Sequence, residues 1–263
     1  MTDHPEPTIT VNVDVTNPGQ FFACCGLLEL ADRLWPGAEG WFEKGATAFC
    51  IACDGTLPAL VASIANADLV HTNPADLFSS PLVIATPFRP LSVDWWATDQ
   101  TGAKDLKVWA GTMESFGIAY AMQQALKDER FYGPNLFDVG MIVMNPHDLG
   151  KKKEPYYFDA RRAPNAHSRD VGFSPNDLKL TSIAHPAVEL LCLIGLQVAR
   201  PAYTSRMRVY NYFTWSLPLL SNLLLPASTG NLALPGRRGY CFENWFRTGQ
   251  RKHKAFRSGT PLT

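Results

Sequence analysis

A chain of 263 residues with 46% hydrophobic content can build a sizeable core, and no low-complexity tract points to wholesale disorder. The longest apolar run, PAVELLCLIGLQVA, carries a charge and is too short for a bilayer; the start, MTDHPEPTIT, has neither a positive n-region nor an apolar h-region, so a cytoplasmic protein is expected. The formal net charge of zero hides a division: residues 1–150 hold 7 basic and 18 acidic side chains, a net of −11, and residues 151–263 hold 17 and 6, a net of +11.

In chain order, TITVNVDV alternates with Ile9, Val11, Val13 and Val15 on one face, the pattern of a half-buried strand. NPGQ is turn chemistry, and FFACCGLLELADRLW reads as a mostly buried helix stopped near Pro36 and Gly37. GWFEKGATAFCIAC supplies two short strands around Lys44 and Gly45, and Thr56 is placed to cap a helix through LPALVASIANA. This opening is β-α-β-β-α, close to the split βαβ unit of ferredoxin-like domains. PLVIATPF and LSVDWW read as a strand pair, and TMESFGIAYAMQQALKDER as an amphipathic helix capped by Thr112. DVGMIVMN and PYYFDA are expected strands, RRAPNAHSRDVGFSPNDLKL is a long polar loop, and HPAVELLCLIGLQVAR is a buried helix beginning near Pro186. YTSRMRVYNYFTW reads as one strand, and RTGQRKHKAFRSGTPLT as a mobile basic tail. The fold class is α+β with a mixed or antiparallel sheet and packed helices. An acidic portion (1–150) and a basic portion (151–248) form one compact unit, followed by a basic flexible tail (249–263).

The six cysteines read as buried reduced thiols, because the Cys50–Cys53 pair occurs once and lacks the second pair that a zinc site normally needs. The chain carries no phosphate-binding P-loop, no dinucleotide fingerprint and no nucleophile elbow. Charge of one sign, concentrated from Lys151 to Arg169 and from Gly236 to Ser258, is better tolerated with a polyanion as partner; the plain alternative is mutual neutralisation of the two halves. Read as a strand, Tyr203–Trp215 lines up Arg206, Arg208, Tyr210 and Tyr212 on one face. That is a stacking and charge platform of the kind used to read single-stranded RNA, or else an edge strand whose tyrosines cover a helix. Arg161, Arg162 and Arg169 are candidates for phosphate contacts from the long loop, and Arg237, Arg238, Arg247, Arg251, Lys252 and Lys254 for tracking a backbone. A metal-dependent nuclease using Asp159, His167 and Asp170 is the enzymatic alternative, and a protein-only scaffold the third reading. Trp41 and Trp95 are candidate aromatic anchors for docking other proteins.

Two blocks, VDVTNPGQFFACCGLLELADRLWPGAEGWF and YYFDARRAPNAHSRDVGFSPNDLKLTSIAHPAVELLCLIGLQVARP, resemble the Csb-type CRISPR-associated proteins of type I-U (I-G) systems. The likeness is to the compact member regarded as replacing a large subunit, and it runs in order to about Trp215. It implies a non-catalytic, nucleic-acid-binding subunit of a Cascade-like ribonucleoprotein in antiviral defence, without a cofactor of its own. Its implied partners are guide RNA, target DNA with its protospacer-adjacent motif, other effector subunits and a separately recruited helicase-nuclease, with no membrane. The resemblance assigns no individual residue; the basic positions named above come from charge clustering.

Overall fold

The computed structural model describes residues 4–43, 45–76, 81–93, 106–109, 113–162, 183–246 and 254–263. Strand β1 (Ile9–Asn12) buries alternate residues and leads into helix α1 (Pro18–Leu34). NPG turns out to be the start of that helix: Asn17 is the N-cap, its side chain accepts the Gly19 N–H, and Pro18 takes the first position, where no N–H is needed. Strands β2 (Glu39–Phe42) and β3 (Ala48–Ala52) follow, then helix α2 (Leu57–Ala65), capped by the Thr56 hydroxyl as expected. β3 lies between β1 and β2, antiparallel to both, so this sheet has the split βαβ order. Its fourth strand departs from a ferredoxin-like sheet. β4 (Leu69–His71) joins β5 (Leu82–Ile84) and β6 (Leu91–Val93) in a separate sheet, while the edge beside β2 is taken by a distant segment, Leu219–Leu220.

Helix α3 (Ser115–Ala125) has Glu114 at its N-cap, and Thr112, the expected cap, lies outside the described residues. The hairpin β7 (Met144–Asn145) and β8 (Asp148–Lys152) precedes helix α4 (Pro186–Val198). PYYFDA forms no strand. The N–H groups of Phe158 and Asp159 go to the Glu189 carboxylate of α4 instead of a neighbouring strand, and Tyr157 takes φ +74°.

The expected strand Tyr203–Trp215 is a tight hairpin. β9 (Ala202–Tyr203) pairs antiparallel with β10 (Val209–Phe213), Tyr203 facing Tyr210. The Thr204 hydroxyl accepts the Arg206 N–H and donates to the Val209 carbonyl, and Arg208 turns the chain at φ +61°. After β11 (Leu219–Leu220) and the short helix α5 (Leu224–Ser228), the long strand β12 (Gly239–Phe246) pairs with β10. The carboxy-terminal residues 254–263 are no tail: β13 (Lys254–Phe256) and β14 (Thr260–Pro261) both pair with β12, and the Gly259 N–H donates to Thr16 at the start of α1. These strands form the second sheet, in the order β13-β12-β10-β9 with β14 on β12. The class is α+β.

α1 and α4 cross in contact at Gly26 and Gly195. A Cβ on Gly26 would run into the Leu191 carbonyl, and one on Gly195 into the Phe22 carbonyl, so the two backbones touch. Cys24, Cys25 and Cys192 are buried among these helices as free thiols, which burial pushes up in pKa. One continuous core holds residues from both sequence halves, among them Phe21, Phe42, Leu191, Tyr212 and Trp215. Described residues of the acidic and basic portions therefore share this core. The variant Gly195→Ala is expected to lose roughly 1–3 kcal/mol or more, because two rigid backbones must part to admit the methyl group. Urea denaturation of the purified variant checks this, and an unchanged midpoint would contradict the crossing.

Candidate functional site

Two clusters of polar residues stand out, one inside the molecule and one on its surface. The inner cluster is centred on Asp159, which is fully buried. Its carboxylate accepts from Asn17 Nδ2 at 2.7 Å and from Arg161 Nε at 3.0 and 3.1 Å, and it lies 2.6 Å from His185 Nδ1. Asn17 is thereby used three times: its carbonyl accepts from Gly19 and Ala160, and its amide donates to Asp159. Gly19 is required here because a Cβ would run into the Phe158 carbonyl. Burial opposes ionisation of Asp159, but the hydrogen bonds from His185 and Arg161 and the Arg161 charge outweigh it and hold the carboxyl well below the usual range. One turn along α4, buried Glu189 is pushed up to about 7, first by burial and then by the Asp159 charge, against the amides of Phe158 and Asp159 and the Arg162 charge.

This cluster corrects several expectations. Arg161, a candidate for phosphate contact, is engaged within the molecule: it spans Asp159, Asp138 at 2.8 Å and the Phe137 carbonyl. Arg162 is buried, with its guanidinium 4.6 Å over the Tyr157 ring, on the Ile183 carbonyl, and 3.4 Å from Glu154. Asp159 has its acceptor directions taken by Asn17, Arg161 and His185 and serves as an interior anchor. His167, Arg169 and Asp170 lie outside the described residues. In the sequence His185 reads as an isolated cap or surface residue, and it is the N-cap of α4; Glu189 carried no expectation. The 3.6-residue period of HPAVE, which puts both on the first turn of α4 facing the DARR segment, was the available signal. Asp159–His185 and Arg162–Ile183 also join residues 159–162 to residues 183–185.

The surface cluster lies on the outer face of the second sheet. Tyr210 and Tyr212, expected there, point the other way. Both are fully buried, Tyr212 packing on Phe21 and donating its hydroxyl to the Val15 carbonyl at 2.6 Å. The period of two fixes which side chains take the open face instead: Asn211 and Phe213 on β10, and Cys241, Glu243 and Trp245 on β12. Trp245 is 40% exposed, and Arg257 lies 5.8 Å from its ring centre. Glu243 holds Arg257 at 3.2 Å and Arg206 at 3.6 Å, one carboxylate between two guanidinium groups. Arg237 covers Phe213 at 5.4 Å and donates to the Gly230 and Leu232 carbonyls. Arg208 departs from the expected row, lying 4.5 Å from the Phe246 ring at the end of the sheet. Arg238 is exposed and donates to the Gly45 carbonyl, and Lys254 is half-buried on β13. Arg247, Arg251 and Lys252 lie outside the described residues, in the segment that joins β12 to β13. Trp41 is buried, its ring meeting His4 edge-on, so it is no docking anchor, and Trp95 lies outside the described residues.

Among the described residues no helix is long and apolar enough to cross a membrane. The chain matches no family model, no curated protein and no solved structure.

The inner cluster has a pH signature. Glu189 keeps its proton in the fold to about pH 7, whereas its ordinary value is 4.5, so the folded state binds more protons between these limits and stability falls as pH rises through them. Glu189→Gln cannot ionise and is expected to lack this fall, a slope difference of up to about 1.4 kcal/mol per pH unit. Urea titrations from pH 4.5 to 8 measure it, and parallel profiles would contradict the assignment. Asp159 acts at the other end: with its pKa depressed, its contribution is present above about pH 4 and lost as pH falls below that. Asp159→Ala removes the buried acceptor shared by Asn17, Arg161 and His185, leaving Arg161 only Asp138, and is expected to cost about 1–3 kcal/mol at pH 7, readable as a lowered denaturation midpoint.

Proposed function

We propose that the chain is a non-catalytic nucleic-acid-binding subunit of a Cascade-like type I CRISPR effector, working in the cytoplasm with guide RNA, target DNA and neighbouring protein subunits. The observation that carries the nucleic-acid part is the outer face of the second sheet. There Arg206 and Arg257 share the Glu243 carboxylate beside Trp245, Arg237 covers Phe213 farther along the same face, and Arg247, Arg251 and Lys252 follow β12 in the sequence. Guanidinium groups beside aromatic rings on an open sheet suit a sugar-phosphate chain with unpaired bases. The CRISPR part rests on the resemblance of the two blocks. Among the described residues the two blocks meet: Asn17 of the first is bonded to Asp159 and Ala160 of the second, and their helices cross at Gly26 and Gly195.

The nucleic-acid reading predicts binding to unstructured single-stranded RNA or DNA with a steep salt dependence. Three phosphate contacts on a single strand give a slope of log affinity against log salt of about −2. Fluorescence anisotropy from 50 to 400 mM salt reads it, and a lack of binding at the lowest salt would refute the proposal. Purification with the products of neighbouring genes tests the assembly, with a bound RNA of guide type expected to come along.

A further inference from the structure

Within the outer sheet face one geometric detail goes beyond general affinity for nucleic acid. We propose that Arg206, Arg257 and Trp245 form a single-nucleotide subsite, and that Glu243 occupies its phosphate position in the free protein. This rests on the nucleic-acid reading and specifies where and how one nucleotide sits.

Glu243 faces Val209 across the ladder and lies on the same face as Trp245, two residues on. Its two carboxylate oxygens are divided between two cations: Oε2 is 3.2 Å from Arg257 Nη1, and Oε1 is 3.6 Å from Arg206 Nη2. The two arginines arrive from different elements. Arg206 stands in the turn between β9 and β10, and Arg257 follows β13, its N–H donating to the Glu243 carbonyl at 2.9 Å. The backbone therefore holds Arg257 in place without the carboxylate. Arg206 is 73% exposed and reaches Glu243 only at 3.6 Å, the loose geometry of a pair that solvent competes for. An anion of carboxylate shape thus sits between two guanidinium groups that keep a surplus positive charge, and Arg257 also lies over the exposed Trp245 ring.

A nucleotide matches these groups one by one. Its phosphodiester spreads one negative charge over two non-bridging oxygens, the same charge and fork as the carboxylate it displaces, and bidentate contact from guanidinium groups suits it. A base fits the Trp245 face, where stacking is tolerant of sequence. The ligand is then a single strand, because paired bases are not free to lie on the ring. Glu243 has to swing away on binding, so it opposes every phosphate that enters and weakens the site in the free protein, which limits capture of stray polyanions.

The test uses the full chain, a 5′-labelled oligouridylate and an oligodeoxythymidylate of the same length, and heparin as a polyanion without bases. Glu243→Gln keeps the side-chain shape and removes the competing charge. It is expected to bind the oligonucleotides roughly three- to tenfold more tightly than wild type, the opposite of what loss of a structural ion pair would do. Arg206→Ala, on an exposed side chain whose removal does not threaten the fold, is expected to weaken both oligonucleotide and heparin binding several-fold. Trp245→Ala is expected to weaken the oligonucleotides roughly five- to hundredfold and leave heparin nearly unchanged. Binding by Glu243→Gln that is equal to or weaker than wild type overturns the subsite. So does unchanged oligonucleotide affinity in Arg206→Ala or Trp245→Ala, and so does equal loss of heparin and oligonucleotide in Trp245→Ala, the mark of a generic anion or acidic-peptide surface. In each of those cases wild-type binding still stands and the wider nucleic-acid reading survives. Absence of wild-type binding removes both.

Discussion

Contact between α1 and α4 without intervening side chains is the constraint on which the rest of the structure depends. Gly26 and Gly195 let two helices far apart in the sequence touch backbone to backbone. That crossing sets the N-terminus of α1 beside the segment leading into α4, and Asn17, Asp159, His185 and Glu189 join there into one buried network. A buried ion pair is weak evidence of stability in itself, since desolvation offsets much of the attraction, but leaving one partner alone is costly. The network therefore specifies how the two halves meet more than it strengthens them. The second sheet is tied to the same corner by Tyr212 on Val15 and Gly259 on Thr16, so the surface cluster is held by the interior one.

The lopsided charge of the sequence has a mixed outcome in space. Part of it is spent on pairs between the halves: Arg161 with Asp138, Lys153 with Glu114, and Lys151 with Asp148. Arg162 is consumed by local packing. On the outer sheet face one glutamate serves two arginines.

Much of the fold was legible where its signals are local. The alternation of TITVNVDV, the Thr56 cap, the Pro186 start and the strand pair after Pro81 each follow from a few neighbouring residues. The errors share a cause, which is that long-range partners decided. PYYFDA has the composition of a strand, but a carboxylate on α4 captures its N–H groups. YTSRMRVYNYFTW alternates well, yet the Thr204 turn and the positive φ of Arg208 fold it back, which turns Tyr210 and Tyr212 inward. The idea of aromatic and arginine residues on one strand face kept its chemistry and changed its residues, since Trp245 and Phe213 take the rings' place and Arg237 and Arg257 come from other segments. Nothing local in the sequence could pair Glu243 with two arginines, one 37 residues before it and one 14 after it.

Crosslinking addresses most directly whether the outer face of the second sheet is the nucleic-acid surface. A single strand carrying 4-thiouridine, irradiated on the full chain and mapped by mass spectrometry, is expected to mark peptides spanning Gly239–Phe246 and the Arg206 turn. Crosslinks confined to the hairpin of β7 and β8, or spread without preference over the chain, would contradict the account.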